Sequence, residues 1–143
     1  MTTDWDKRFV DLANHIAKWS KDPSTKVGSV IVDHDKRIIG LGYNGFPRGV
    51  PDHPEVYADK LTKYRFVVHA EANAILNANV GVKGMTMYAT KYPCSECAKL
   101  IIQSGISRVI SPPPSSEGKW MVDAEYSRMM FKQACVCVRE VAL

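Results

Sequence analysis

Short extended runs alternate with helical patterns along the whole chain, and this order constrains the fold more than any other feature. Helical patterns cover 4–20, 69–79, 93–105 and 123–134, and extended runs cover 27–32, 37–43, 85–90, 106–110 and 136–141. The first two extended runs flank a short polar turn, which is typical of a β-hairpin. The later runs are separated by helices, so they require crossover connections and parallel pairing. The pattern predicts an α/β fold, with helices on both faces of a mixed five-stranded sheet.

A single domain over residues 1–143 is expected, because 45% hydrophobic content is ample for one buried core in a chain of this length. We expect no leader peptide, because residues 1–21 alternate charged and apolar residues, and no membrane span, because no stretch approaches the ~20 apolar residues that one needs. Its four cysteines form two close pairs, which is too few for a disulfide framework and favours a reducing compartment. We therefore expect a cytoplasmic protein with no membrane partner.

Two segments are predicted to be loops. Residues 44–68 contain three prolines and two glycines and show little apolar periodicity, so we expect a long loop with at most one helical turn. The proline-rich stretch 112–119 is expected to be the second loop. The net charge of +4 is dispersed among acidic residues, which favours a small phosphorylated ligand over nucleic acid.

Candidate metal ligands open two of the predicted helices. His69 begins the first of them, and Cys94 and Cys97 lie at the beginning of the next, after Pro93. Cysteines at i and i+3 share a helix face, and the positive end of the helix dipole favours their thiolate forms. Two thiolates and one imidazole are donors that zinc prefers, and three protein ligands leave a fourth position open for catalysis.

Glu71 follows the predicted ligand His69 by two residues, which places its carboxylate near the metal without binding it. Such a group can move protons between water, a ring nitrogen and a leaving amine. The combination of His-x-Glu with Pro-Cys-x-x-Cys is the signature of zinc deaminases. Each half alone is weak, since a Cys-x-x-Cys pair also occurs in redox dithiols and structural zinc sites. Together and in this order they favour a catalytic zinc.

The sequence resembles the cytidine deaminase superfamily, and within it the deoxycytidylate deaminases, over nearly its whole length. Residues 20–28, 42–49 and 69–75 carry the resemblance besides the metal motifs. It implies a three-layer α/β/α sandwich whose last two strands are parallel. It also implies zinc-dependent hydrolysis of dCMP to dUMP and ammonia, which supplies dUMP for thymidylate synthesis. Several members of the family carry a second zinc whose ligands come from the region that is here 44–68, where this sequence offers only His53 and no cysteine, so we expect one catalytic Zn²⁺ per chain.

The same resemblance implies the binding sites. The substrate pocket is expected beside the zinc and to include Lys26, Asn44 and Ala70. Effector triphosphates, dCTP as activator and dTTP as inhibitor, each accompanied by Mg²⁺, are expected on one segment. Its residues are Tyr43, Asn44, Gly45, Phe46 and Arg48. The family resemblance further implies a homo-hexamer.

Two other functions stay open on the residues alone. The first is deamination of another base or of a nucleic acid polymer, although strand binding generally requires a basic track with stacking aromatics. The second is a nucleotide sensor or structural zinc module without turnover, for which four protein ligands would be expected.

Four residues near the C-terminal end of the sequence belong to none of these motifs. Cys135 and Cys137 alternate on a predicted strand, so they are expected to point to opposite faces and to serve as packing residues. Trp120 and Tyr126 are left open between stacking on a substrate base and packing in the core.

Overall fold

Five strands form one sheet in the computed structural model, which describes residues 4–142. The elements in chain order are α1 Trp5–Ala17, β1 Gly28–Val32, β2 Ile38–Tyr43, α2 Pro54–Ala58, α3 Lys60–Phe66, α4 Ala70–Asn77, β3 Thr86–Ala89, α5 Ser95–Gln103, β4 Arg108–Ser111, α6 Gly118–Gln133 and β5 Cys137–Glu140. Within the described range, no helix combines the length and apolar character that a membrane span requires.

The strand order in the sheet is β2-β1-β3-β4-β5. Strand β1 is antiparallel to both of its neighbours, whereas β3, β4 and β5 run parallel to one another. The hairpin, the mixed sheet and the parallel last two strands are therefore as predicted. The crossovers through α5 and α6 impose the parallel pairing, because a short turn cannot join parallel strands.

Helices cover both faces of the sheet, which confirms the three-layer sandwich. Val30 and Val32 of β1 belong to one core cluster, together with Phe9, Val10 and Ala13 of α1. Ile31 lies between them in sequence and belongs to the opposite cluster, with side chains from α4, α5 and α6. Because successive side chains of a strand point to opposite faces, a strand covered on both sides is apolar throughout.

A half-buried carboxylate anchors α1 to the parallel half of the sheet. Asp6 accepts hydrogen bonds from the guanidinium groups of Arg108 and Arg139 and from the Tyr88 hydroxyl. Hydrogen bonds from Arg108, Tyr88 and Arg139 hold the pKa of Asp6 well below its usual range. One side chain thus links α1 to β3, β4 and β5.

The predicted long loop over 44–68 is wrong in part, since α2 and α3 lie within it. Pro54 occupies the beginning of α2, a position that tolerates its missing N–H. Tyr57 is buried and stacks on Phe46 with ring centroids 4.0 Å apart. Tertiary contacts of this kind stabilise helices too short to show a periodic pattern.

Two helix boundaries differ from the prediction by three residues or more. Helix α1 ends at Ala17, three residues before the expected Ser20. Helix α6 begins at Gly118, five residues before the expected Asp123. Its first turns expose Trp120, Met121 and Val122 to solvent, so they lack the polar outer face that marks a helix in a sequence.

Cys135 lies in the turn between α6 and β5, so the prediction that it alternates with Cys137 along one strand is wrong. Its φ of 59° is in the left-handed region. The N–H of Val136 donates to the Phe131 carbonyl at 2.9 Å, and the N–H of Cys135 donates to the Lys132 carbonyl at 3.2 Å. This is a Schellman cap, in which glycine is favoured. Both cysteines are exposed and are not core packing residues.

Replacing Cys135 with glycine is expected to stabilise the protein by about 1 kcal/mol, because a residue with a Cβ is strained in the left-handed conformation. The urea unfolding midpoint measures the effect. Cys135→Ser is the matched control, since it removes the thiol and keeps the strain. A midpoint for Cys135→Gly at or below that of Cys135→Ser would contradict the strain at this cap.

Candidate active site

The beginnings of α4 and α5 bring three metal-donor side chains together. His69 is the N-cap residue of α4, Cys94 is the N-cap residue of α5, and Cys97 lies in the first turn of α5. The Nδ1 atom of His69 is 3.2 Å from the Cys97 sulfur and 3.5 Å from the Cys94 sulfur. Among residues 4–142, this is the group of three or more donors that could hold a metal ion.

The spacing of these donors fits a zinc ion. Zinc bonds of about 2.0–2.3 Å in a tetrahedron separate the ligand atoms by roughly 3.5–4 Å. The three donor atoms of His69, Cys94 and Cys97 all lie within 4.8 Å of one another. One imidazole and two sulfur ligands match the donors that zinc prefers, so the residues present can hold it with little rearrangement.

Hydrogen bonds prepare the sulfur of Cys94 to be a thiolate. The Cys97 thiol, His69 and the backbone N–H of Cys97 donate toward this sulfur and lower the pKa of Cys94. The same thiol pairing, together with burial, raises the pKa of Cys97. The pairing with Cys94 also raises the pKa of the His69 imidazole. Of the two sulfur atoms, that of Cys94 is therefore the one whose thiolate form the neighbouring groups favour.

Glu71 lies in the first turn of α4 and is only 4% exposed. Burial raises the pKa of its carboxyl group above the usual value, since a desolvated carboxylate is unfavourable. A raised pKa makes the carboxylate of Glu71 a stronger proton acceptor, which suits a group that takes a proton from water and returns it. It lines the same cavity as His69 and Cys94.

The donor cluster faces a cavity of about 640 Å³. This volume is within the roughly 300–1,000 Å³ typical of small-molecule sites. Its walls come from the segment that follows α1, from α3, from the 112–115 loop and from the beginning of α6. Elements distant in sequence thus enclose one site beside the predicted metal ligands.

Two of the three predicted substrate residues line this cavity, namely Asn44 and Ala70. The side chain of Asn44 accepts from the Val27 N–H at 2.8 Å and donates to the Thr25 carbonyl at 2.9 Å, so it holds the neighbouring wall. Lys26 is not among the lining residues, and its ammonium group donates to the Ser20 carbonyl. The structure therefore does not bring the Lys26 side chain to the donor cluster.

Sequence reasoning missed the buried pair of Lys63 and Asp22 in the cavity wall. Their charged groups are 3.2 Å apart, and the Lys63 ammonium group also donates to the Ser24 hydroxyl at 2.9 Å. Buried lysines are almost always paired in this way. The partners are 41 residues apart and α3 was not predicted, so no local signal could have identified the pair.

Aromatic rings and a lysine meet at the mouth of the cavity. Tyr64 of α3 and Trp120 of α6 both line it. The Lys119 ammonium group lies 5.1 Å from the centre of each ring, within the range of cation–π attraction. The sequence did not decide whether Trp120 and Tyr126 stack on a substrate base or pack in the core. Trp120 lines the cavity, whereas Tyr126 is exposed and is not among the lining residues.

Among the predicted effector residues, Asn44 lines the cavity and the others lie outside it. Phe46 stacks on Tyr57, and the Arg48 guanidinium group donates to the Asn77 side chain at 2.9 Å. The Tyr43 carbonyl accepts a hydrogen bond from Asn73. Gly45 forms an isolated β-bridge with Val68. The segment is therefore tied mainly to α4 and to the loop before it.

Two helices on one face of the α/β/α sandwich carry the three metal donors and the buried glutamate. This arrangement places the chain in the class of hydrolytic deaminases. A family model narrows this class. The model described as the cytidine and deoxycytidylate deaminase zinc-binding region matches residues 3–111, and the chain belongs to this family.

Relatives match over nearly the full chain. An uncharacterised deaminase of Aliivibrio fischeri is 42% identical over 95% of this chain and 92% of its own length. The human deoxycytidylate deaminase is 43% identical over 96% of this chain and 79% of its own length. The crystal structure of the dCMP deaminase from cyanophage S-TIM5, in complex with dCMP and dUMP, has the same fold. It is 22% identical, covers 99% of both chains and gives a TM-score of 0.76.

Proposed function

We propose that this enzyme hydrolyses dCMP to dUMP and ammonia with one Zn²⁺ per chain. The observation that carries the chemistry is the donor cluster of His69, Cys94 and Cys97, which lies with the buried Glu71 at one cavity. The choice of dCMP is supported by relatives named deoxycytidylate deaminase, which are 43% identical over 96% of this chain.

His69, Cys94 and Cys97 would hold the metal, which supplies a Lewis acid that makes water nucleophilic at neutral pH. The carboxylate of Glu71 accepts a proton from the attacking water and transfers it to N3 of the pyrimidine ring. After addition at C4, the same carboxyl group moves the second proton of the water to the exocyclic amine, which leaves as ammonia. The raised pKa of Glu71 suits both directions of transfer.

Groups on three sides of the cavity are available to orient the nucleotide. The backbone N–H of Ala70 is in the first turn of α4, where a helix offers no internal acceptor, so it can donate to the pyrimidine carbonyl. Trp120 can stack on the base from the mouth of the cavity. Asn44 keeps amide capacity beyond its two hydrogen bonds and can contact the sugar.

Lysines in the cavity wall support a phosphorylated substrate. Lys60 and Lys91 are exposed side chains that line the cavity, and Lys63 lies behind them with its charge paired to Asp22. Cations around a small enclosed site favour a nucleotide over a free nucleoside, since each phosphate oxygen can accept a charge-assisted hydrogen bond. Lys26 would act on the substrate only through the loop that it braces.

Regulation by dCTP and dTTP with Mg²⁺ is part of the proposal. Arg48 offers an exposed guanidinium group, and its hydrogen bond to Asn77 connects it to α4, the helix that begins next to His69. A triphosphate that draws Arg48 away would change a contact of the catalytic helix. This connection supports an effector role for the segment of Tyr43, Asn44, Gly45, Phe46 and Arg48.

A hexamer in the cytoplasm completes the proposal. Helix α6 exposes apolar side chains on its outer surface, namely Met121, Val122, Tyr126 and Met129. An exposed apolar surface of this kind is typical of a subunit contact. The four free cysteines are compatible with a reducing compartment.

Ammonia release from dCMP, dCTP, deoxycytidine and adenosine, each with and without effector and Mg²⁺, tests the proposal. We expect turnover with dCMP, increased by dCTP and decreased by dTTP, and at least about 10²-fold lower kcat/KM with deoxycytidine. Loss of one or two charge-assisted hydrogen bonds to the phosphate, each about 1.5–3 kcal/mol, gives this ratio. Turnover of adenosine, or of deoxycytidine as efficiently as dCMP, would contradict the substrate assignment, and zinc-bound protein without turnover would favour a binding role.

A further inference from the structure

Helix α6 contacts the segment around Cys94 at two points. One carboxylate oxygen of Asp123 accepts from the Ser95 hydroxyl at 2.6 Å, and the other accepts from the Ser95 backbone N–H at 2.8 Å. One helical turn further on, the buried hydroxyl of Ser127 donates to the Pro93 carbonyl at 2.9 Å. The residues before and after Cys94 are therefore both held by the same helix.

The contact with Asp123 supplies an oxygen acceptor that the N-cap residue of α5 does not offer. Cys94 occupies the N-cap position, and its side chain ends in a sulfur that faces His69 rather than in an oxygen. The free N–H groups at the beginning of a helix need acceptors, and a carboxylate is the most favourable one. Asp123 supplies that acceptor from another element, which leaves the Cys94 sulfur available for a metal.

We propose that Asp123 is a positioning residue that sets the metal-binding geometry of Cys94 and Cys97 through Ser95. Both of its oxygens are engaged with Ser95, so it fixes the first turn of α5 and the direction of both sulfur atoms. Hydrogen bonds that orient metal ligands typically change metal affinity by about 10–100-fold. The inference rests on the proposed metal site, but not on the identity of the substrate.

Asp123 belongs to the supporting structure rather than to the reacting groups. It borders the cavity, yet its two oxygens are 2.6 and 2.8 Å from the donors of Ser95 and are therefore occupied. A proton-transfer role already falls to Glu71, which lies in the same cavity wall as His69. The expected effect of losing Asp123 is weaker metal binding and altered ligand geometry.

Zinc affinity measured by competition with a chelator tests the proposal. We expect Asp123→Ala to weaken zinc binding about 10-fold or more and to change the sulfur-to-cobalt absorption of the cobalt-substituted protein. Glu125→Ala is the matched control, because Glu125 is an exposed carboxylate two residues along the same helix. It should retain the zinc affinity and the cobalt spectrum of the unaltered protein.

Ser95→Ala tests the route of the effect. It removes the hydroxyl contact and leaves the backbone contact, so we expect a smaller loss than in Asp123→Ala. Combined with Asp123→Ala, it should add little further loss, since residues that act through one contact are not additive. Independent, fully additive losses would overturn the proposed route.

A purely structural role of Asp123 predicts different results. Asp123→Ala would then lower the melting temperature of the metal-free protein and leave the zinc affinity and cobalt spectrum unchanged, which would overturn the proposal. If Asp123→Ala does not fold, Ser95→Ala still removes the hydroxyl contact, and an unaltered zinc affinity and cobalt spectrum in that variant would also overturn the proposal. Zinc binding by the unaltered protein without dCMP turnover would contradict the proposed substrate and leave this measurement interpretable.

Discussion

Replacing Glu71 with glutamine leaves the protein folded and able to bind zinc but lowers kcat by a factor of about 10²–10⁴, the range expected for the loss of a general acid and base. Glutamine has nearly the same shape and can form hydrogen bonds, but it cannot accept a proton from water. The effect should be large because Glu71 is only 4% exposed and bulk water has poor access to replace it.

Steady-state rates and zinc content of the purified variant measure this effect. Glu96→Gln is the matched control, since Glu96 lies in the first turn of α5 but is exposed and is not among the cavity-lining residues. It should retain nearly full turnover. A Glu71→Gln variant with more than about a tenth of the original kcat would contradict the proton-transfer role. Equal losses in both variants would indicate a general charge effect instead.

The parts of the fold that local sequence specifies were predicted correctly. The run from Val30 to Val32 is apolar throughout because both faces of β1 are covered, and its β-branched residues mark it as a strand. The metal donors are also local, since Cys94 and Cys97 share one helical turn. The sheet then brings His69 to them, because α4 and α5 both pack on the same face.

The parts that depend on distant partners were not predicted. Helices α2 and α3 are held by contacts such as the stacking of Phe46 on Tyr57 and the ion pair of Lys63 with Asp22. Such contacts leave no periodic pattern in the sequence. The walls of the cavity follow from these helices, so the sequence predicted which donor side chains lie together better than which side chains line the cavity. Lys26 illustrates the difference, because the prediction that it lies beside the metal donors depended on the path of a loop, and its ammonium group donates to the Ser20 carbonyl instead.

Two glycines of β2, Gly40 and Gly42, allow close packing of the helix that carries Glu71. A Cβ atom added at Gly42 would collide with the carbonyl oxygen of Ala70 and the backbone nitrogen of Ala74. One added at Gly40 would collide with the carbonyl oxygen of Ala74. Both positions face the backbone of α4, so the glycines allow that helix to lie directly against the strand. The helix begins next to His69 and carries Glu71.

Gly42→Ala is therefore expected to destabilise the protein by about 3 kcal/mol or more, the upper end for overpacking, because two rigid backbones must separate. Chemical denaturation measures the loss, and zinc affinity of the folded fraction should fall as His69 is displaced with α4. Gly45→Ala is the matched control, since an added Cβ there meets no atom within 4 Å.

This pair of variants also separates two explanations of the glycine-rich segment. Gly42 and Gly45 both lie in the 42–49 stretch that carries the family resemblance, yet only Gly42 is required for packing on α4. If Gly45→Ala keeps the stability and loses the response to dCTP or dTTP, Gly45 serves the effector and Gly42 serves the fold. If Gly42→Ala proves as stable as Gly45→Ala, the close packing of α4 on β2 is not what positions His69 and Glu71.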